Sequence, residues 1–448
     1  MALPYKVEVL EICQISPPLG SVSTTSIPLT FFDLPWLLVP PVQKLLYYEL
    51  HQPKAYFMNT ILPNLKHSLS ITLQHFFPLT GRLSWPQDSA KPQILCMDND
   101  SAPLIVAECH YDFHHLSDGK LIPLLALQVT LFPNKGICLG ITFDHAALDG
   151  RSLHHFIKSW AAICKSQGGT DFMTDSLPFY DRTIVKDPNG FETINLKDLA
   201  TFNITKETFN FLKKVPMVPV DKVRNSFVLS SSDIKKLKQQ VLSLLDKDKQ
   251  NVPIFNLSTF VLISAYVWIC SIKARWETEK VINVRDCEDQ REYFMFPVDC
   301  RARLNPPLPL TYSGTCVGGV FVKSDRNALI GENGIAIAAE VIGKGIIDAD
   351  TEVWTVMEKG FRSYASIPPG QLLTIAGSPN FGIYETDFGW GKPKKSEASL
   401  TDSRGAIFFN NHPGEEGAVE ILLVRDAIEM EAFASAFTNT LSPLGINC

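Results

Sequence analysis

An α/β fold with mixed β-sheets in two halves is the prediction for this chain, and three observations make it. Its 448 residues are 45% hydrophobic, enough to bury the cores of two domains. Strand-like and helix-like patterns interleave along both halves instead of separating into blocks. Between the halves, from about Leu177 to Val223, regular patterning fades into "SLPFYDRTIVKDPNG" and "KKVPMVPVDK", whose Pro, Asp and Lys suit a long connection.

Taken in order, "YKVEVLEI" alternates as a strand does, and "PNLKHSLSITLQHFF" carries apolar residues at helical spacing. "LLALQVTLF" and "GICLGITF", joined by the turn residues of "PNKG", predict a hairpin that runs into His145. In "RSLHHFIKSWAAIC" the residues Leu153, Phe156, Ile157, Trp160 and Ile163 share one helical face. Beyond the connection, "SSDIKKLKQQVLSLL" begins with capping residues and continues with helical periodicity. "LSTFVLISAYVWIC" predicts a buried helix, and "REYFMFPVD" and "GGVFVKS" predict strands. "GAIFFNN" and "AVEILLV" predict a strand pair, and "AIEMEAFASAFTNTL" a final helix.

Composition narrows the function. The net charge is −6 and no long block of one sign occurs, so nucleic acid is not an expected partner. Lys392, Lys394 and Lys395 form a short cluster that predicts a solvated loop. The ten cysteines include no CxxC pair, and several, such as Cys270, lie in apolar runs, which favours a reducing compartment. The N-terminus lacks a signal layout, "GINC" matches no common address, and no apolar run reaches a membrane span. A cytoplasmic, membrane-free protein is the expectation, with a monomer as default.

Two motifs carry the chemistry. In "TFDHAALDG", His145 and Asp149 lie four apart after a strand-like run and before Gly150. On one helix they would share a face as metal ligands or an ion pair. No third ligand is evident, so metal is not expected, and a strand-end turn fits the flanking residues better. There His145 is either a packed structural histidine or a general base, for which imidazole suits because it titrates near neutrality. Asp149 is expected to hold the turn, with an arginine elsewhere as partner. His154 and His155 are expected to be surface or packing residues. The second motif, "ETDFGWGKP", contains a kinase-like DFG, but no HRD loop and no Gly-rich phosphate loop accompany it. Its glycines predict a tightly bent backbone that places Trp390.

His145 to Asp149 together with Asp387, Phe388, Gly389, Trp390 and Gly391 resemble the paired HxxxD and DFGWG motifs of the plant BAHD acyl-CoA-dependent acyltransferases. The resemblance runs from "LTFFDLPWL" through "HSLSITLQHFFPLTGRL" to the C-terminal strands. "LPFYDRTIVKDP", "FPVDCRARLNPPLP" and "YETDFGWGKPKK" are similar to the anthocyanin and phenolic-glucoside malonyltransferases within it. The resemblance implies a chloramphenicol-acetyltransferase-like fold of two similar-sized domains with mixed sheets, helices flanking them and an interdomain channel. It implies an N-terminal domain over 1–180, a crossover over 181–225 and a C-terminal domain over 226–448, with part of 375–405 packing on the first.

The same resemblance implies the roles. His145 would deprotonate a sugar hydroxyl of a flavonoid, anthocyanin or phenolic glucoside, which attacks malonyl-CoA directly. Malonyl-CoA is the co-substrate, and no metal and no bound cofactor are implied. Arg182 would hold the malonyl carboxylate, as a guanidinium fork can. The Trp390 indole or nearby amides would meet the oxyanion. Asp387, counted with the catalytic motif because its loss should abolish activity, would pair with Arg301 or Arg303 and hold its loop, and Ser258 and Thr259 would contact CoA phosphates or cap a helix. Alternatives are the same chemistry with acetyl- or hydroxycinnamoyl-CoA, or a silent paralogue that binds a phenolic ligand.

Three departures stand out. "YSGTC" replaces the subgroup's usual "YFGNC" at Tyr312 to Cys316, which bears on donor choice. Asp144 precedes His145 and, if turned toward it, would raise its pKa. The stretch between "HHLSDG" and "LLALQVTLF" is short, as though a loop were missing.

Overall fold

Two apolar cores organise the chain, and the segments that build them are not contiguous. The computed structural model describes residues 7–109, 123–171, 176–209, 222–248, 255–281, 290–355, 357–358, 366–368, 370–399 and 406–441. The first compact unit comprises Met1–Val218, Leu304–Cys316 and Phe381–Thr401. The second comprises Pro219–Arg303, Val317–Asn380 and Asp402–Cys448. The short stretch noted before residue 123 lies outside the described residues.

In the first unit a six-stranded sheet runs Val7–Ile15, Ala102–Cys109, Leu125–Phe132, Gly136–Phe143, Val42–Glu49, Lys395–Ser399. All neighbours are antiparallel except Ala102–Cys109 with Leu125–Phe132. The hairpin before His145 turns through Asn134 at φ 59°, a conformation Asn tolerates. The helices Leu62–His75 and Gly150–Lys165 pack together. Leu153, Phe156, Ile157, Trp160 and Ile163 are all buried, as their spacing predicts. The Trp160 indole N–H reaches Ser68 Oγ at 3.2 Å, so this buried ring keeps a partner for its polar atom. A smaller sheet of Thr25–Pro28, Gln93–Cys96 and Arg82–Ser84 completes the unit.

The stretch expected to be an irregular crossover contains a helix, Phe191–Thr201, docked on the first core. Asp187 accepts from the amides of Phe191 and Glu192, and the Phe191 ring lies 5.8 Å from Phe31. Only Phe191 and Leu199 are buried, so the helix has too few apolar positions for its period to stand out.

The second unit has the sheet Val317–Asp325, Arg291–Asp299, Leu372–Ala376, Ile407–Asn411, Val419–Arg425, Val223–Leu229. Its central strand, Leu372–Ala376, is parallel to both neighbours. The helices Thr259–Val281 and Ala427–Leu441 meet where Tyr266 packs on Phe437 at 5.1 Å. A further helix, Gly334–Thr351, carries no sequence prediction, because its glycines weaken the helical reading. They are packing residues: a Cβ at Gly343 would enter the Phe255 ring, and one at Gly345 would meet Val322.

Candidate active site

His145 follows the strand Gly136–Phe143 and lies in a tight turn, not on a helix. The turn closes with Ala147 N–H donating to Asp144 O at 3.0 Å, while Asp144 N–H donates to Leu124 O at 2.9 Å. Ala146, Ala147 and Leu148 are buried, so the small and apolar residues between the motif's ends anchor the turn in the core. The Asp144 carboxylate also serves the turn, accepting from Ala146 N–H at 2.9 Å.

Asp149 is the N-cap of the helix Gly150–Lys165. One of its oxygens accepts from Ser152 N–H at 2.9 Å and the other from Cys316 N–H at 3.1 Å. Thus the motif is not a helical ion pair: His145 lies in the turn before the helix, and the two Asp149 oxygens hold backbone amides. A side chain at Gly150 would meet the Phe381 ring, which explains the glycine after the aspartate. His154 and His155 are packing residues. His154 stacks on Phe381 at 4.5 Å, and its Nδ1 lies 2.5 Å from Gly150 O.

The imidazole of His145 stacks on Trp36, with centroids 3.6 Å apart and planes inclined by 11°. Trp36 comes from the 3-10 turn Leu34–Leu38, whose Leu34 and Leu37 are buried. Just before that turn, the fully buried Asp33 accepts from Thr30 N–H and Thr30 Oγ at 2.7 Å each and from Thr315 N–H at 3.1 Å. Burial raises the pKa of Asp33, while Arg182 and these donors act in the opposite direction.

Arg182 lies at the start of the 3-10 turn Arg182–Ile184 and is buried. Its guanidinium covers the Tyr312 ring at 4.6 Å, a contact worth about 2 kcal/mol when desolvated. Backbone pairing of Phe179 with Thr311 and Ser313 fixes the two segments against one another. Gly314 has no side chain where one is excluded, because a Cβ there would land on the guanidinium. Burial opposes the charge on Arg182, yet Tyr312 and Asp33 more than offset it, and its pKa is raised. The Nε and Nη1 atoms of Arg182 donate to no acceptor among the described residues.

Residues 312–316, where the sequence departs from its subgroup, are therefore the hub of the site. Ser152 Oγ accepts from Gly314 N–H at 3.2 Å and donates to Gly314 O at 2.9 Å. Thr315 reaches both Asp33 and His145, and Cys316 reaches Asp149. Sequence reasoning singled out residues 312–316 only as bearing on donor choice, and it missed Asp33, Trp36 and Ser152 as site residues. For Asp33 and Trp36 the local signal was Asp-Leu-Pro at 33–35, which resembles a helix start.

The DFGWG loop lies elsewhere. Asp387 pairs with Lys165 at 2.7 Å instead of the expected Arg301 or Arg303. Arg301 binds Asp299 at 3.1 Å, and Arg303 binds Asp350 at 2.6 Å. The other Asp387 oxygen accepts from the amides of Gly389 at 2.8 Å and Gly391 at 2.9 Å. Those glycines have φ of 102° and 104°, in the region that disfavours side chains. Burial opposes ionisation of Asp387, but Lys165 and the two amides outweigh it and lower its pKa.

Two rulers measure the separation. Lys165 ends the helix that Asp149 begins, about 22 Å along at 1.5 Å per residue. Trp390 stacks on Phe388 at 5.4 Å and meets Tyr48 edge-on at 6.1 Å. Tyr48 pairs with Ile137, six residues before Phe143 and so about 20 Å from the His145 end of that strand. Trp390 is thus a packing residue, and the expected oxyanion role does not fall to it. Lys392 and Lys394 pair with Glu385 and Glu49 in the loop, whereas Lys395, expected in the same solvated loop, opens the strand Lys395–Ser399 and pairs with Glu397.

Ser258 caps the helix Thr259–Val281, its Oγ accepting from Val261 N–H at 3.3 Å, and with Thr259 belongs to the second unit. No helix among the described residues is long and apolar enough to cross a membrane.

Comparison with known proteins places this geometry in a family. A model of the Transferase family matches residues 5–440. Phenolic glucoside malonyltransferase 1 of Nicotiana tabacum is 35% identical, covering 97% of this chain and 99% of its own. The malonyl-coenzyme A:anthocyanin 3-O-glucoside-6''-O-malonyltransferase of Dahlia pinnata is 34% identical, covering 97% of each. Among solved structures, vinorine synthase superposes with a TM-score of 0.68 at 21% identity, covering 95% of this chain and 96% of its own. TRI101 of F. graminearum, complexed with coenzyme A and T-2 mycotoxin, gives 0.69 at 16% identity, covering 92% of this chain and 97% of its own. This chain belongs to the BAHD acyltransferases of the Transferase family and is an acyl-CoA-dependent acyltransferase.

Proposed function

We propose that this acyltransferase moves a malonyl group from malonyl-CoA to a sugar hydroxyl of a phenolic, flavonoid or anthocyanin glucoside. The observation that carries the reading is Arg182: a buried guanidinium with two N–H groups that meet no acceptor among the described residues. A free carboxylate on the acyl group would take a pair of such donors, whereas an acetyl group offers them nothing. The malonyltransferases among its relatives support the same class of donor and acceptor.

In this reading His145 accepts the proton of the sugar hydroxyl as its oxygen attacks the thioester carbonyl. The tetrahedral intermediate collapses with cleavage of the C–S bond. The imidazolium returns its proton to the departing CoA thiolate, leaving the ester and free CoA. Base catalysis of this kind contributes about 10²- to 10⁴-fold, which sets the expected loss in His145→Ala.

The test incubates purified protein with malonyl-CoA and a panel of phenolic glucosides and follows CoA release. Release that needs both a glucoside and His145 supports the transferase. Arg182→Met should lower kcat/KM for malonyl-CoA by about 100-fold, the scale of a lost charge-assisted pair. An Arg182→Met protein as active as wild type would remove the carboxylate reading. No release with malonyl-, acetyl- or hydroxycinnamoyl-CoA would leave a silent ligand-binding paralogue.

A further inference from the structure

The departure at residues 312–316 suggests a change in donor choice when only the sequence is considered, but the contacts of Thr315 lead to the base. Thr315 is fully buried, and its Oγ donates to the backbone carbonyl of His145 at 2.5 Å. Its amide donates to Asp33 at 3.1 Å. Three residues beyond Asp33, Trp36 stacks on the His145 ring. These contacts close a circuit: His145 is held at its carbonyl by Thr315 and at its ring by Trp36, and both holders are referenced to Asp33.

We propose that Thr315 is a positioning residue for His145, acting on the turn that carries the base and not on the acyl donor. This rests on the reading of His145 as the general base. The physical argument is that the His145 turn ends a strand, and the hydroxyl–carbonyl bond is a lateral tie on the residue whose ring must be aimed. Without that donor the carbonyl loses a buried hydrogen bond, and the turn is free to rotate the imidazole away from the attacking hydroxyl. A displacement of an ångström at a reacting group is enough to slow turnover strongly. Arg182 touches Tyr312 and approaches Gly314, and among the described residues none of its contacts runs through the Thr315 hydroxyl, so donor affinity should not depend on it.

Two pairs of proteins isolate the hydroxyl: wild type against Thr315→Val, and Thr315→Ser against Thr315→Ala. Within each pair shape is nearly constant and only the donor to His145 is lost. The expected result is a fall in kcat of about tenfold or more within each pair, with KM for malonyl-CoA and for the glucoside unchanged to about twofold. Thr315→Ser should recover most of the wild-type kcat. Equal kcat within either pair would overturn the proposal, as would a raised KM for malonyl-CoA with kcat intact, which would make Thr315 a donor-binding residue. His145→Ala is measured in the same series. If it keeps full activity, the reading of the base has failed; if it is inactive while Thr315→Val is unimpaired, only the role of Thr315 has failed.

Discussion

Gly314 and Asp387 are each defined by what a single atom can do there. A methyl group at position 314 would occupy the place of the Arg182 guanidinium. Gly314→Ala should therefore raise KM for malonyl-CoA by about tenfold or more, a loss of about 1.4 kcal/mol, and should also destabilise the fold by about 1–3 kcal/mol, because the buried guanidinium must move off Tyr312. Unchanged KM would detach Gly314 from the proposed role of Arg182. Asp387 needs an acceptor more than a charge, because one oxygen holds two amides and the other an exposed lysine. An exposed pair contributes at most about 1 kcal/mol, so Lys165→Ala should be nearly neutral. Asp387→Asn should keep the loop, and Asp387→Ala should destabilise by about 1–3 kcal/mol in urea unfolding. Because the folded pKa of Asp387 is lowered, its ionic contribution is complete above about pH 4 and fades as pH falls further. The difference between wild type and Asp387→Asn should narrow over that acid range.

At the scale of elements, the helix Gly150–Lys165 ties one end of its unit to the other, with Asp149 capping its start and Lys165 holding the DFGWG loop at its end. Phe388 fills the space between them, edge-on to Trp160 at 5.0 Å and to Tyr48 at 5.9 Å. Phe388→Ala should cost about 3–5 kcal/mol, measured by denaturant unfolding. A cost below 1 kcal/mol would mean that the loop is not packed as described. The same helix contains a pH-sensitive point. Burial first, and then the nearby Lys44, push the pKa of His154 well below its ordinary value of 6.5. The native state binds that proton less readily than the unfolded chain, so stability is full above about pH 6.5 and falls as pH drops below it. His154→Gln should flatten the loss of melting temperature between about pH 6.5 and 5. An unchanged slope would assign the acid sensitivity to other groups.

For the whole molecule, the consequential feature is that the first unit is assembled from three separated pieces of chain. Lys395–Ser399 completes the edge of its sheet beside Val42–Glu49, and residues 312–316 hold Asp33, His145 and Asp149. A fragment of residues 1–218 contains most of the core but neither of these pieces. It should lack a single cooperative transition in urea, and near-ultraviolet dichroism should show loosely packed aromatics. A fragment that unfolds as sharply as the full chain would make the later segments dispensable.

Local order was legible in the sequence where a periodic pattern coincided with burial on one side, as in the helix over Gly150–Lys165 and the hairpin leading to His145. The paired motifs and the family they imply were legible too, because a spacing of residues survives without coordinates. The helices Phe191–Thr201 and Gly334–Thr351 were not, one for want of apolar positions and the other because its glycines serve packing against residues distant in sequence. Only the tertiary structure separated the two motifs, setting the His145 turn and the DFGWG loop at opposite ends of the helix Gly150–Lys165. Only it brought Asp33, Trp36 and Thr315 to His145, and Arg182 to the same cluster through Tyr312. Spacing along a chain records which residues share a strand or helix, but which side chains meet depends on how distant segments pack. The hydrogen bond from Thr315 to His145 crosses 170 residues, a distance that no local pattern can encode.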